Sequence, residues 1–291
     1  MAGFQGMKIN PKGYHKSQLK FYTILIPMAM FVALPILFIV SHAFKPTNEL
    51  FAYPPRFLVR VPTFQNFRDL VSIAADSGIP FSRYLFNSIY VTGLGVFLSV
   101  LFTSLAAYSL SKLKFKGQKL LFEINTLALM FVPIAVTIPR YLTIARLGMI
   151  DSYLVLILPL IAMPVGLFLV KQFIDQTPNE LIESAKIDGA SEMEVFLYII
   201  VPIIAPALAT VGILSFQLIW NDVVGSTLYV NDESMKTLAF FFSTLAARTG
   251  NLVQGQGILA AASLITFVPN IVIFIFLQSR VMNTMAHSGI K

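Results

Sequence analysis

From Phe21 to Phe44 the chain contains no Asp, Glu, Lys or Arg. A helix rises 1.5 Å per residue, so about 20 mostly apolar residues cross the hydrocarbon core of a bilayer. This run is long enough. It is also longer than the apolar stretch of a secretory signal, and no small-x-small cleavage site follows it, so a retained span is expected. Five further segments repeat the pattern, giving spans at approximately 21–44, 84–111, 119–139, 152–171, 195–221 and 257–279. The stretch Thr237–Ala247 is apolar but too short to cross, and an interfacial or re-entrant helix is expected there.

Composition supports lipid as the solvent for these runs. Hydrophobic residues make up 56% of the chain and charged residues 12%, against about a quarter charged in soluble domains. The expected fold class is therefore an all-α membrane protein with six transmembrane helices. No linker, low-complexity tract or internal repeat divides it, so residues 1–291 are expected to form one transmembrane domain. Glu123 would cost ~2.5–3.5 kcal/mol at mid-bilayer and is placed at a membrane edge. Prolines 27, 35, 133, 159, 164, 206 and 269 fall inside spans, where neighbouring helices can satisfy the carbonyls they free. They read as kinks.

Six spans put both termini on one side. Lys8, Lys12, Lys16 and Lys20 precede the first span, and Lys112, Lys114, Lys116 and Lys119 crowd the second connection without an acid among them. The positive-inside rule then expects both termini in the cytoplasm. The 172–194 connection shares that side, while 45–83 and 222–256 face outward.

Several function classes are excluded or disfavoured. The net charge of +7 is scattered at the ends of apolar runs, as flanking charges are, and not gathered into a nucleic-acid surface. There is no cysteine, and His15, His42 and His287 lack metal-ligand spacing, so no metal site is expected. No nucleophile–base pair or acidic pair sits within a span, and no phosphate-binding GxxxxGK[ST] occurs. The chain is not expected to be an enzyme or to bind a cofactor of its own. An ion-coupled secondary transporter, the alternative, would want ionisable residues inside spans. These spans are nearly free of them.

The most informative stretch is Thr177–Pro202, TPNELIESAKIDGASEMEVFLYIIVP. Thr177 and Glu180 have capping-box spacing with Pro178 at the first helical position. Glu183 and Lys186 stand i,i+3 on one side of the helix that follows. Gly189 can take the left-handed conformation that ends a helix. Ser191 and Glu194 form a second capping-box spacing before the next apolar run. The result is a short helix, a glycine turn and a second helix mounted directly on a span.

These residues resemble the signature of ABC-importer permeases: E-A-A, a glycine four residues on, then I-x-L-P ten residues beyond. Here they are Glu183-Ser184-Ala185, Gly189 and Ile199-Ile200-Val201-Pro202, with Ser184 and Val201 departing from the pattern. The wording ESAKIDGAS is similar to the carbohydrate-uptake, maltose-type branch. Asn221 and Asp222 after Trp220, the 257–264 run GILAAASL and the tail QSRVMNTMAHSGIK extend the resemblance over nearly the whole chain.

The resemblance implies a bacterial inner-membrane location, the type I importer architecture and a sugar or oligosaccharide substrate. The implied partners are a second, homologous permease, two ATPase subunits that bind ATP and Mg, and an extracytoplasmic solute-binding protein. Residues 178–190 would be the coupling helix, with Glu183, Ala185, Asp188 and Gly189 at the ATPase. Glu183 could instead pair with Lys186, Ala185 could be filler, and Asp188 could cap a turn. The tail from Met282 to Lys291 would reach the ATPase or fray. The stretch Thr249–Gln256 would present Gly250, Asn251 and Gln254 to the binding protein, or be a plain connection. Polar residues Asn87, Asn125, Gln217 and Asn221 line the pore or bond between helices.

Overall fold

The computed structural model describes residues 19–249 and 253–288, with the side chains of 20, 254 and 279–288 excepted. Every regular element among them is helical. The chain divides into two compact units, one of residues 1–70 with 249–264, the other of residues 71–248 with 265–291.

The first unit contains α1 (Leu19–Ala43), α2 (Thr47–Leu50), the start of α3 (Gln65–Asp76) and the start of the last helix. The apolar window of α1, mean hydropathy 2.6, has none of its residues buried. A helix so composed needs lipid or another chain around it. Packing against the rest of this unit begins where α1 ends. Ala43 packs with Ala260 and Ala261, flanked by Phe44, Phe67 and Leu264. The buried Asn66 amide donates to the carbonyls of Ala43 (2.9 Å) and Lys45 (2.8 Å), tying the end of α1 to α3. In the loop between them, the Glu49 carboxylate accepts from the amides of Arg60 (3.0 Å) and Val61 (2.9 Å).

The second unit is built on α4 (Phe81–Lys112), 32 residues long. After it come α5 (Gln118–Ala128), a 3₁₀ turn (Pro133–Val136), α6 (Thr137–Arg146), α7 (Tyr153–Ile161), α8 (Pro164–Asp175) and α9 (Asn179–Ile187). A single rod, Glu192–Trp220, then joins α10 (Glu192–Glu194), a π turn (Val195–Ile200) and α11 (Val201–Trp220). The connection after it carries α12 (Val224–Tyr229) and α13 (Leu238–Thr249), before α14 (Val253–Ser288).

Helices α4, α8 and α11 enclose a core of Tyr108, Val170, Ile174, Phe196, Ile200, Ile204 and Val211 with their apolar neighbours. A second cluster joins Val91, Val155, Leu156, Ile157 and Ile219 to Tyr229 and Val230.

Among the described residues four helices are long and apolar enough to cross a membrane, and six spans result if each of two bent pairs counts as one. The third and fourth spans are thus not continuous, contrary to the sequence expectation. The third breaks between α5 and the 3₁₀ turn with a bend of 111°, the fourth between α7 and α8 with a bend of 43°. The cause is the same in both. Pro133 and Pro164 occupy the first position of the second half, and the residues before them, Val132 (ψ 129°) and Met163 (ψ 90°), are held out of the helical region. Asn125 of α5 donates its amide to the Pro164 carbonyl at 3.1 Å, linking α5 to the start of α8.

The expected short helix at 237–247 is α13, 12 residues long. Glu123 is exposed on α5 beside Lys119, at 3.9 Å.

Candidate functional site

The helix–turn–helix element at 178–194 sits at the C-terminal end of α4, where two side chains of α4 hold it and a third holds the end of α8 just before it. The Lys112 ammonium donates to the Thr177 carbonyl (2.7 Å) and to Asn179 Oδ1 (2.8 Å) at the entry of α9. Tyr108 donates its hydroxyl to Glu192 at the exit, 2.8 Å. Ser111 donates to Asp175 at the end of α8, 2.5 Å. From below, Ile182 is buried in the α4–α8–α11 core, and half-buried Ala185 packs on it.

The turn forms as its residues dictate. Gly189 has φ +89°, and the amides of Ala190 and Gly189 bond to the carbonyls of Ala185 (2.9 Å) and Lys186 (3.1 Å). This is the Schellman closure, in which a left-handed residue lets two amides reach back over the last helical turn. Ser191 and Glu194 then complete a reciprocal capping box, 2.7 Å and 3.3 Å.

The first expected capping box is absent. Pro178, in extended conformation (ψ 137°), is itself the cap residue, so α9 starts one residue later than expected. Thr177 is turned inward, and its hydroxyl has no hydrogen-bond partner among the described residues.

Lys186 pairs with Glu192 across the glycine turn, not with Glu183. Glu183 is exposed and makes no hydrogen bond or ion pair among the described residues. The Asp188 side chain is likewise exposed and caps nothing there. Ile187, which sequence reasoning passed over, is 86% exposed beside them. Its signal was an isoleucine between two charged residues on a helix whose apolar face already held Leu181, Ile182 and Ala185. The element therefore has one face fixed to the span and one bearing Glu183, Ile187 and Asp188, whose side chains make no hydrogen bond or ion pair among the described residues.

The opposite end of α4 is braced to the 222–248 connection. Asn87, fully buried, donates to the carbonyls of Ser234 (2.8 Å) and Lys236 (2.9 Å) and accepts from the Tyr153 hydroxyl (2.9 Å). The Ser88 hydroxyl accepts from the Leu238 amide at 2.7 Å. Asn87 and Asn125 thus bond between elements. Gln217 on α11 and Asn221 just past its end remain exposed, Asn221 donating to the Gln217 carbonyl at 2.8 Å. Asp222 accepts from the Gly225 amide at 3.0 Å, starting α12, and burial pushes its carboxyl above the ordinary range.

Of the 249–256 stretch, Gly250, Asn251 and the Gln254 side chain lie outside the described residues. On either side of the residues not described, α13 runs through Thr249 and α14 starts at Val253, placing Gly255 in a helix. A Cβ on Gly255 would fall 2.2 Å from the Thr249 carbonyl, so glycine here serves close packing. The backbone of α14 continues to Ser288, and the tail side chains from 282 on lie outside the described residues.

Residues 26–279 match the family described as binding-protein-dependent transport system inner membrane component. Among relatives, Protein LplC of Bacillus subtilis is 33% identical over 274 residues, 89% of each chain. An arabinooligosaccharides transport system permease protein, AraQ of Halalkalibacterium halodurans, is 28% identical over 91% of this chain and 93% of its own. The trehalose transport system permease protein SugB of Mycobacterium tuberculosis is 29% identical over 90% and 93%. A crystal structure of a bacterial ABC transporter that imports the acidic polysaccharide alginate shares the fold, with a TM-score of 0.78, 21% identity, and coverage of 93% of this chain and 99% of that one. The chain belongs to the inner-membrane component family of binding-protein-dependent ABC importers, as a transport subunit.

Proposed function

We propose that this chain forms half of the translocation pathway of a sugar or oligosaccharide importer, coupled to a separate ATPase through residues 178–190. The carrying observation is the two-faced element itself. Lys112, Tyr108 and Ile182 lock one face to α4 and the core, and the other face offers Glu183, Ile187 and Asp188. A push on such an element moves the span, because a closed left-handed turn and a capping box leave it no internal slack. In this reading Glu183 meets a basic residue of the ATPase, and Ile187 enters an apolar recess beside it.

The proposed assembly is one copy of this chain, a second permease, two ATPase subunits carrying ATP and Mg, and an external solute-binding protein. Both termini lie in the cytoplasm. Gly250, Asn251 and Gln254 approach the binding protein, and residues 1–291 act as one transmembrane domain. Sugar as the cargo class is supported by the sugar-transport names of relatives similar over nearly their whole length. Against ion coupling, the buried charged residues among those described, Lys45 and Lys236, lie in connections and not in spans.

The test is reconstitution in liposomes with the products of the neighbouring genes. Sugar-loaded binding protein should stimulate ATP hydrolysis and drive uptake. Uptake that needs an ion gradient and no ATPase would overturn the proposal.

A further inference from the structure

We propose that a cleft between the C-terminal end of α3 and α13 receives an acidic side chain of the solute-binding protein, recognised by Arg248. The inference deepens the importer reading and rests on it.

The cleft has a volume of about 390 Å³ and is lined by Ile73, Ser77, Tyr84, Phe240, Phe241 and Arg248, among others. Its floor is aromatic: buried Tyr84 stacks on Phe241, with ring centroids 4.9 Å apart at 22°. Two charged side chains line it, Glu233 and Arg248, and their situations differ. Glu233 is neutralised by Lys236, which also lies over the Phe240 ring at 4.2 Å. Arg248 is exposed in the last turn of α13 and makes no ion pair or hydrogen bond with any described residue. Among the described residues, the cleft therefore offers one uncompensated positive charge above an apolar floor.

That combination selects a carboxylate on an aliphatic stem. The guanidinium fork matches a carboxylate with two parallel N–H···O bonds, and the methylenes of an Asp or Glu side chain lie against the rings.

Position names the partner. Tyr84 lies near the start of α4, whereas Tyr108 and Lys112 hold the 178–194 element at its end. From Tyr84 to Tyr108 the helix rises about 36 Å at 1.5 Å per residue, more than the ~30 Å hydrocarbon core. If the ATPase docks at one end of α4, the cleft opens on the other side of the membrane, where the solute-binding protein works. A charge at the edge of such a contact acts through encounter rate and salt dependence.

The experiment uses the assembled transporter in liposomes, titrated with the solute-binding protein encoded beside it, in low and high salt. Arg248→Glu should raise the binding-protein concentration for half-maximal ATPase stimulation about tenfold or more, leave unstimulated hydrolysis unchanged and flatten the salt dependence. Arg248→Lys should fall between it and wild type. An acid-to-lysine change on the binding protein should restore Arg248→Glu. An unshifted half-saturation for Arg248→Glu would overturn the proposal. So would a variant that discriminates only between acidic and neutral sugars, which would make the cleft a sugar-carboxylate site. Wild type that ignores the binding protein would fail the importer reading itself, which sets that failure apart from this one.

Discussion

Tyr108 and Glu192, 84 residues apart in sequence, meet in a 2.8 Å hydrogen bond that fastens the exit of the 178–194 element to α4. Glu192 also receives Lys186 from across the glycine turn, so one carboxylate closes the element on itself and onto the span. Tyr108→Phe keeps the ring packed against Phe196, 5.5 Å centroid to centroid, and removes only the hydroxyl. The expected cost is about 1–2 kcal/mol, a hydrogen bond to a partly exposed charged group. Stimulated ATPase should fall more than unstimulated. Thermal unfolding in detergent beside both rates checks this.

Gly189 is a backbone requirement and not a space requirement. A Cβ there would meet nothing within 4 Å, yet φ is +89°. Gly189→Ala should cost about 1–2 kcal/mol, and Gly189→Asn less, because asparagine tolerates the left-handed region. Equal losses for the two, compared by unfolding midpoint, would point to a steric cause.

Gly257 is the reverse case. A Cβ there would lie 2.6 Å from Asn66 Oδ1, and Asn66 is pinned by its bonds to the Ala43 and Lys45 carbonyls. Gly257→Ala should destabilise by about 1–3 kcal/mol, as overpacking does. Combined with Asn66→Ala, the loss should be clearly less than additive.

The loop after α1 should loosen in acid. The amides of Arg60 and Val61 hold the Glu49 carboxyl below the usual carboxylate range. A depressed folded-state value contributes stability that is fully present above the ordinary value of about 4.3 and is lost as pH falls through the lower, folded one. Protease cleavage between 50 and 62 should therefore rise in that window. In Glu49→Gln it should already be raised at neutral pH and change little with acid.

What the sequence made legible was local. Gly189 and the Ser191/Glu194 box depend on neighbours within three or four residues, and both formed where their spacing placed them. The apolar runs located the spans because lipid leaves few other arrangements. The hidden parts depend on distance in sequence. Nothing about Lys112 announces that it will seat Thr177, 65 residues on, and Lys186 had two acids in reach, of which the fold chose Glu192. The span breaks were nearly readable. Pro133 and Pro164 look like kinks, but each forces an extended residue before it and opens a new helix after it, which is a break.

The most direct measurement of coupling through 178–190 is ATPase stimulation by sugar-loaded binding protein in liposomes holding the assembled transporter with Glu183→Ala. Glu183 has no partner among the described residues, so the variant should unfold within about 0.5 kcal/mol of wild type. The account predicts that it nonetheless loses most of the stimulation. Wild-type stimulation in an assembled Glu183→Ala transporter would contradict it.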